Sequence, residues 1–151
     1  MRTAIIIPAR YASSRLPGKP LLRETSKYLI EHVYERAQQS SADVVLVATD
    51  DIRILQAVQS FGGQAVMTRA DHNTGTDRIA EAAQNLDVDI VINLQGVEPL
   101  IDPADLDVLI ALLQTNNDVV VATLATPVRS LERLNDTNCV KVVTDRLGHA
   151  L

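Results

Sequence analysis

The chain has 151 residues, of which 46% are hydrophobic and 22% charged, and its formal net charge is −5. This is enough for one ordinary domain with a real core, and the usage is globular, without the marks of a disordered segment. Net negative charge and the absence of tryptophan argue against a nucleic-acid surface, and the longest apolar runs, such as Val119 to Ala122, are too short to cross a bilayer.

Met1 leads directly into Arg2, Thr3 and a strand-like run, with no signal-peptide layout, so a cytoplasmic location is expected. Thr3 to Pro8 is apolar without helical period and ends in proline, which predicts a buried strand. A loop rich in Arg, Ser, Pro and Gly runs to Pro20. Leu29, Ile30, Val33 and Ala37 then fall at helical spacing and predict an amphipathic helix over 27–39. Residues 43–49, "DVVLVAT", read as a second buried strand. Asp50 and Asp51 stand where a helix N-cap belongs, Ile54, Leu55 and Val58 share one face, and Gly62 is the expected stop.

The alternation continues with a short strand at 65–67, a helix at about 76–85, a strand at 89–94, a helix at about 103–114 and a strand at 118–125. Residues 139–144 read as a further strand, 145–148 as a turn and 149–151 as the start of a returning strand, so the sequence stops in mid-hairpin, as though a longer chain had been cut short. Alternating helices and β-branched apolar strands predict an α/β fold in three layers, with a mostly parallel sheet covered on both faces. Ligands of such sheets bind beyond the carboxyl ends of the strands, which selects three loops: 9–20, 69–77 and 95–102.

The first loop is the most informative. Arg10, Arg15, Lys19 and Arg23 concentrate positive charge in an otherwise acidic chain and suit a small anionic ligand. A loop with glycine and cationic side chains after a strand can wrap a polyphosphate. It is not a Walker A loop, which needs glycine at 13 and Ser or Thr at 20, where this chain has Ser13 and Pro20; no G-x-G-x-x-G follows the first strand either. In the second loop Asn73, Thr74 and Gly75 offer amide, hydroxyl and backbone groups able to read a base edge. Thr74 or Thr76 also fits a helix N-cap with Asp77 in the first turn, and the two roles are compatible. His72 lacks a partner at metal-ligand spacing and reads as a loop hydrogen-bonding group. Cys139, the single cysteine, reads as a buried structural thiol.

The segments "IIPARYASSRLPGKPL", "VATDD", "MTRADHNTGTDRIAE", "NLQGVEPLI" and "VKVVTDRLGHAL" closely resemble the 3-deoxy-manno-octulosonate (Kdo) cytidylyltransferases, or CMP-Kdo synthetases, in order and spacing across residues 1–151. The resemblance implies a nucleotide-diphospho-sugar transferase (Rossmann-like) fold, read as a single nucleotidyltransferase domain truncated at its C-terminus. It implies transfer of CMP from CTP to Kdo with release of pyrophosphate, for lipopolysaccharide biosynthesis, aided by Mg²⁺ and performed by a homodimer. By the same resemblance Pro8, Ala9, Arg10, Arg15, Lys19, Asn73, Thr74, Gly75 and Arg78 bind the nucleotide, Arg10 and Lys19 act in catalysis, and Gln95, Gly96 and Glu98 face the sugar acid.

Two departures stand out. Where the family reads Gln-Gly-Asp-Glu-Pro, with the aspartate a Mg²⁺ ligand, this chain has Val97, whose isopropyl group cannot coordinate a hard cation. Glu98 points away from its neighbour's direction and replaces that ligand only if the backbone shifts. The family also continues into a lobe that supplies sugar contacts, a second metal-binding aspartate and much of the dimer interface. A CTP-binding fragment without turnover and a nucleotidylyltransferase for another sugar acid therefore remain as alternatives.

Overall fold

The computed structural model of the chain describes residues 1–12 and 16–151. Its sheet contains β1 (Thr3–Ala9), β2 (Val44–Thr49), β3 (Ala65–Met67) and β4 (Ile90–Asn93), in the order β3-β2-β1-β4 with every pair parallel. The helices are α1 (Leu29–Gln38), α2 (Ile52–Ser60), α3 (Gly75–Ala83), α4 (Pro103–Thr115) and the short α5 (Leu131–Asn135), with a 3-10 turn at Lys19–Leu21.

β1 is central because nearly every side chain on both of its faces is apolar and buried. Its Ile5, Ile7 and Ala9 pack with Ile30, Val33 and Ala37 of α1, Ile54 and Val58 of α2, and Leu106 and Ile110 of α4. Ala4 and Ile6 face the other way, onto Ile79 and Ala82 of α3. Three layers result, with α1, α2 and α4 on one face and α3 on the other. The strand order reverses beside β1, which steps to β2 on one side and neighbours β4 on the other; at that switch point a crevice opens beyond the strand ends.

Local chemistry fixes the boundaries. Asp51 caps α2 by accepting from the Arg53 amide at 2.9 Å, and Gly62, at φ 82°, ends the segment as expected. Thr74 and Asp77 form a reciprocal cap on α3, each side chain accepting from the other's amide at 3.1 Å. Asp102 caps α4, whose first residue is Pro103. Asp43 and Asp89 accept the amides of Thr3 and Arg2 at 2.7 Å, tying the starts of β2 and β4 to that of β1.

The strands expected at 118–125 and 139–144 are not formed. Among the described residues, 118–125 join no ladder and the terminal hairpin is reduced to one antiparallel bridge, Thr144 to Ala150. A β-branched run becomes a strand only beside a partner, and here Val120 and Val140 are 88% and 96% exposed. Cys139 is half-buried outside any strand, not in the core. No helix among the described residues is long and apolar enough to cross a membrane.

Tyr34 of α1 joins three elements: its hydroxyl donates to the Val45 carbonyl at 3.2 Å and accepts from the Gln64 amide at 3.0 Å, and its ring packs 5.7 Å from that of Phe61. Tyr34→Phe strands both backbone groups and is expected to lower unfolding free energy by about 1–3 kcal/mol in urea titration. A change under about 0.3 kcal/mol would show that the hydroxyl contributes nothing.

Candidate active site

At the switch point the ends of β1, β3 and β4 bring their loops together around a cavity of about 430 Å³. Pro8, Ala9 and Arg10 come from the end of β1, and Lys19 and Pro20 from the 3-10 turn. His72, Asn73, Thr74, Gly75 and Arg78 come from the start of α3, and Gln95, Gly96 and Val97 from the turn after β4. The three loops marked by sequence thus meet in one place.

Two glycines permit this approach. A Cβ on Gly75 would lie 3.2 Å from Cγ of Pro8, and one on Gly96 would lie 3.2 Å from the Pro8 carbonyl and 3.1 Å from Ile30. Both loops therefore rest against the end of β1 more tightly than most Cβ contacts, so a side chain at either position would require its neighbours to shift by a few tenths of an ångström.

Arg10 and Lys19 supply the cavity's charge. Among the described residues neither forms an ion pair, in contrast to Arg53 on Asp51, Arg69 on Asp71 and Arg78 on Asp50. Two cations without carboxylate partners in a concave site attract an anion. Arg23 does not join them: its guanidinium donates to the Ser26 carbonyl and lies 4.7 Å from the centroid of the Tyr28 ring, because the chain has turned away by then. Arg15 lies outside the described residues.

Arg78 is only 3% exposed, and its guanidinium donates to Asp50 at 2.7 Å, to the Thr68 hydroxyl and to the Arg69 carbonyl at 3.3 Å. Its side chain borders the cavity, but these bonds commit its donors to holding the ends of β2 and β3 against α3. His72 is a hydrogen-bonding group of the loop, as its isolation in sequence suggested, and its partner is Glu81. That bond, assisted by the Arg69 amide, holds the Glu81 carboxyl below the usual carboxylate range.

In the turn after β4, the Glu98 amide donates to the Gln95 carbonyl at 3.2 Å, which puts Val97 on the cavity wall and leaves Glu98 off it. Of the three residues expected at the sugar acid, Gln95 and Gly96 line the cavity and Glu98 is not among its lining residues. No group of three or more His, Cys, Asp or Glu side chains able to hold a metal exists among the described residues. With Val97 at the cavity wall, the donor set does not fit a hard divalent cation. A larger groove of about 670 Å³ runs along the outer side of α1, past Leu22, Leu29, Pro99 and Leu100, but neither Arg10 nor Lys19 reaches it.

A family profile described as Cytidylyltransferase matches residues 4–151. The chain is 51% identical over 152 residues to a 3-deoxy-manno-octulosonate cytidylyltransferase of Syntrophotalea carbinolica, covering 100% of this chain and 61% of that protein. It is 51% identical over 150 residues to the protein of the same name from Cellvibrio japonicus, covering 97% and 59%. The chain thus spans about 60% of the length of these relatives. Among solved structures, a CMP:2-keto-3-deoxy-manno-octonic acid synthetase complexed with CTP superposes with a TM-score of 0.96 at 49% identity, covering 100% of this chain and 63% of that one.

Asp50→Ala leaves the Arg78 guanidinium buried without its counter-charge, and thermal or urea unfolding should register a loss of about 3 kcal/mol; a loss under about 0.5 kcal/mol would contradict the structural role. The Glu81 carboxyl, depressed in the folded state, stabilises fully above its unfolded value and loses that contribution as pH falls through the folded one. The melting-temperature advantage of the parent over Glu81→Gln should therefore shrink between neutral pH and about pH 3. An advantage that grows over that range would reverse the sign.

Proposed function

The chain belongs to the cytidylyltransferase family, and from that premise we propose that it is the nucleotide-binding part of an enzyme that transfers CMP from CTP to the sugar acid Kdo. The observation that carries this reading is the convergence of Arg10 and Lys19, without ion-pair partners among the described residues, with the Asn73 to Gly75 loop around one cavity at the strand ends. The first pair matches a triphosphate and the second a base and ribose. The relatives named for this reaction, and the solved relative complexed with CTP, support the same substrates.

In the proposed reaction the anomeric hydroxyl of Kdo attacks the α-phosphorus in line. The new P–O bond to the sugar forms as the bond to the oxygen bridging the α- and β-phosphates breaks, pyrophosphate departs with that electron pair, and the hydroxyl proton passes to solvent. Such a transfer needs positioning and charge neutralisation rather than a covalent intermediate. Arg10 presents a planar fork that grips two oxygens, and Lys19 a mobile point charge suited to the departing pyrophosphate. Pro8 and Ala9 form the floor under the nucleotide. Arg78 acts through Thr68 and Asp50, holding the base-reading loop, and Gln95 and Gly96 stand where the sugar acid would enter. Magnesium, which the resemblance implies, requires oxygen donors that the wall at Val97 does not offer, which leaves charge neutralisation to Arg10 and Lys19. The activity belongs in the cytoplasm, where CTP is found.

Val97 favours a second reading, in which the chain binds CTP but turns it over slowly or not at all. Calorimetric titration should show CTP binding that Lys19→Ala weakens about tenfold or more. Pyrophosphate release with CTP, Kdo and Mg²⁺ should be low in the parent and rise in Val97→Asp, which restores an oxygen donor. No binding of CTP by the parent would overturn the proposal, and binding without release in either protein would establish the second reading.

A further inference from the structure

The loop that carries the cavity's cations is closed at its neck by a contact outside the cavity. Arg10 is followed by Tyr11, and Lys19 is preceded by Gly18. The Gly18 amide donates to the Tyr11 carbonyl at 2.9 Å, so the two residues that flank the neck meet directly. Gly18 has φ 68°, and a Cβ there would lie 2.9 Å from the edge of the Tyr11 ring. Only glycine takes that backbone conformation at no cost and leaves room for the ring.

The ring is held from above by α2. The guanidinium carbon of Arg53 lies 3.3 Å from the centroid of Tyr11, a cation-π stack. Arg53 is itself fixed by Asp51, donating through Nε at 2.9 Å and Nη2 at 2.6 Å, and the same carboxylate caps α2 through the Arg53 amide. The Asp51 carboxyl is depressed chiefly by the Arg53 side-chain bond, so it stays ionised throughout the neutral range. A rigid helix start thus ends in a planar cation laid flat on the aromatic side chain that closes the loop.

We infer that Tyr11 and Arg53 form a positioning clasp, which sets the spacing of Arg10 and Lys19 for a nucleoside triphosphate without touching it. The inference rests on the nucleotide reading of the cavity. Arg53 is spent on Asp51 and Tyr11 and is not part of the cavity wall, whereas Arg10 and Lys19, on either side of the closed neck, both are. With the neck closed, the two cations enter binding already ordered, and the ligand does not bear the entropy of gathering them.

The test uses the parent chain, Arg53→Ala, Tyr11→Leu and Tyr11→Phe, and two readouts. Without ligand, amide hydrogen exchange at Gly18 should speed up about tenfold in Arg53→Ala and Tyr11→Leu and stay near the parent rate in Tyr11→Phe, which keeps the ring face. With CTP, calorimetric affinity should fall about tenfold in the first two variants and be retained in the third, with the melting temperature of the unliganded protein little changed. Unchanged Gly18 exchange in Arg53→Ala would show that no clasp exists. Faster exchange with unchanged CTP affinity would overturn its positioning role. If the parent itself binds no CTP, the positioning role falls with the nucleotide reading, while the exchange data still report whether the neck is closed by this stack.

Discussion

Pro8, at the carboxyl end of the central strand, is approached so closely by Gly75 and Gly96 that a Cβ on either would sit 3.2 Å from one of its atoms. The cavity depends on this contact. Gly75 begins α3 and Gly96 lies in the turn after β4, so two loops from opposite sides of the sheet seat against one residue of β1. With the loops seated, Asn73 to Gly75 and the cations of the first loop line one cavity. A side chain at 75 would press on the Pro8 ring and one at 96 on Ile30 and the Pro8 carbonyl, so either wall could approach β1 less closely.

Around that contact the protein separates two kinds of cation. Arg53, Arg69 and Arg78 are bonded to carboxylates and brace loops or helix starts, whereas Arg10 and Lys19 at the cavity have no ion-pair partner among the described residues. The bracing is layered: Arg78 ties the ends of β2 and β3 to α3 beside the Asn73 to Gly75 loop, and Arg53 of α2 stacks on Tyr11 at the neck of the cationic loop. A preorganised cationic site needs both, because unpaired charges that are also mobile lose much of their advantage as the ligand orders them. Val97 is the discordant element, placing an apolar side chain, 39% exposed, on the wall of a site otherwise suited to phosphates.

Much of this was legible in the sequence. The buried strands around Ile5 and Val47 and the helix carrying Ile30 and Val33 follow from apolar pattern alone, and the rule that ligands sit beyond strand ends selected three loops that meet around one cavity. The failures share a cause, which is that they depend on partners distant in the chain. Val119 to Val121 have strand chemistry but pair with no strand among the described residues. Arg23 belongs to a cationic run in sequence and turns onto Tyr28 in space. The stack of Arg53 on Tyr11 joins residues 42 apart with no shared pattern, so nothing in either segment announces it. Glu98 was expected beside Gln95 and Gly96 at the sugar acid, but the chain leaves β4 at Asn93 and turns at Gly96 and Val97, so strand alternation could not say which of these side chains lines the cavity.

The central claim is that a triphosphate occupies the space between Arg10 and Lys19, with its base against the Asn73 to Gly75 loop. A crystal structure of the chain with bound CTP tests this most directly. The account predicts phosphate oxygens within hydrogen-bonding distance of Arg10 and Lys19 and the cytosine beside Asn73 to Gly75. A nucleotide seated instead in the groove along α1, beside Leu22 and Leu100, with the cavity at Pro8 vacant, would contradict it.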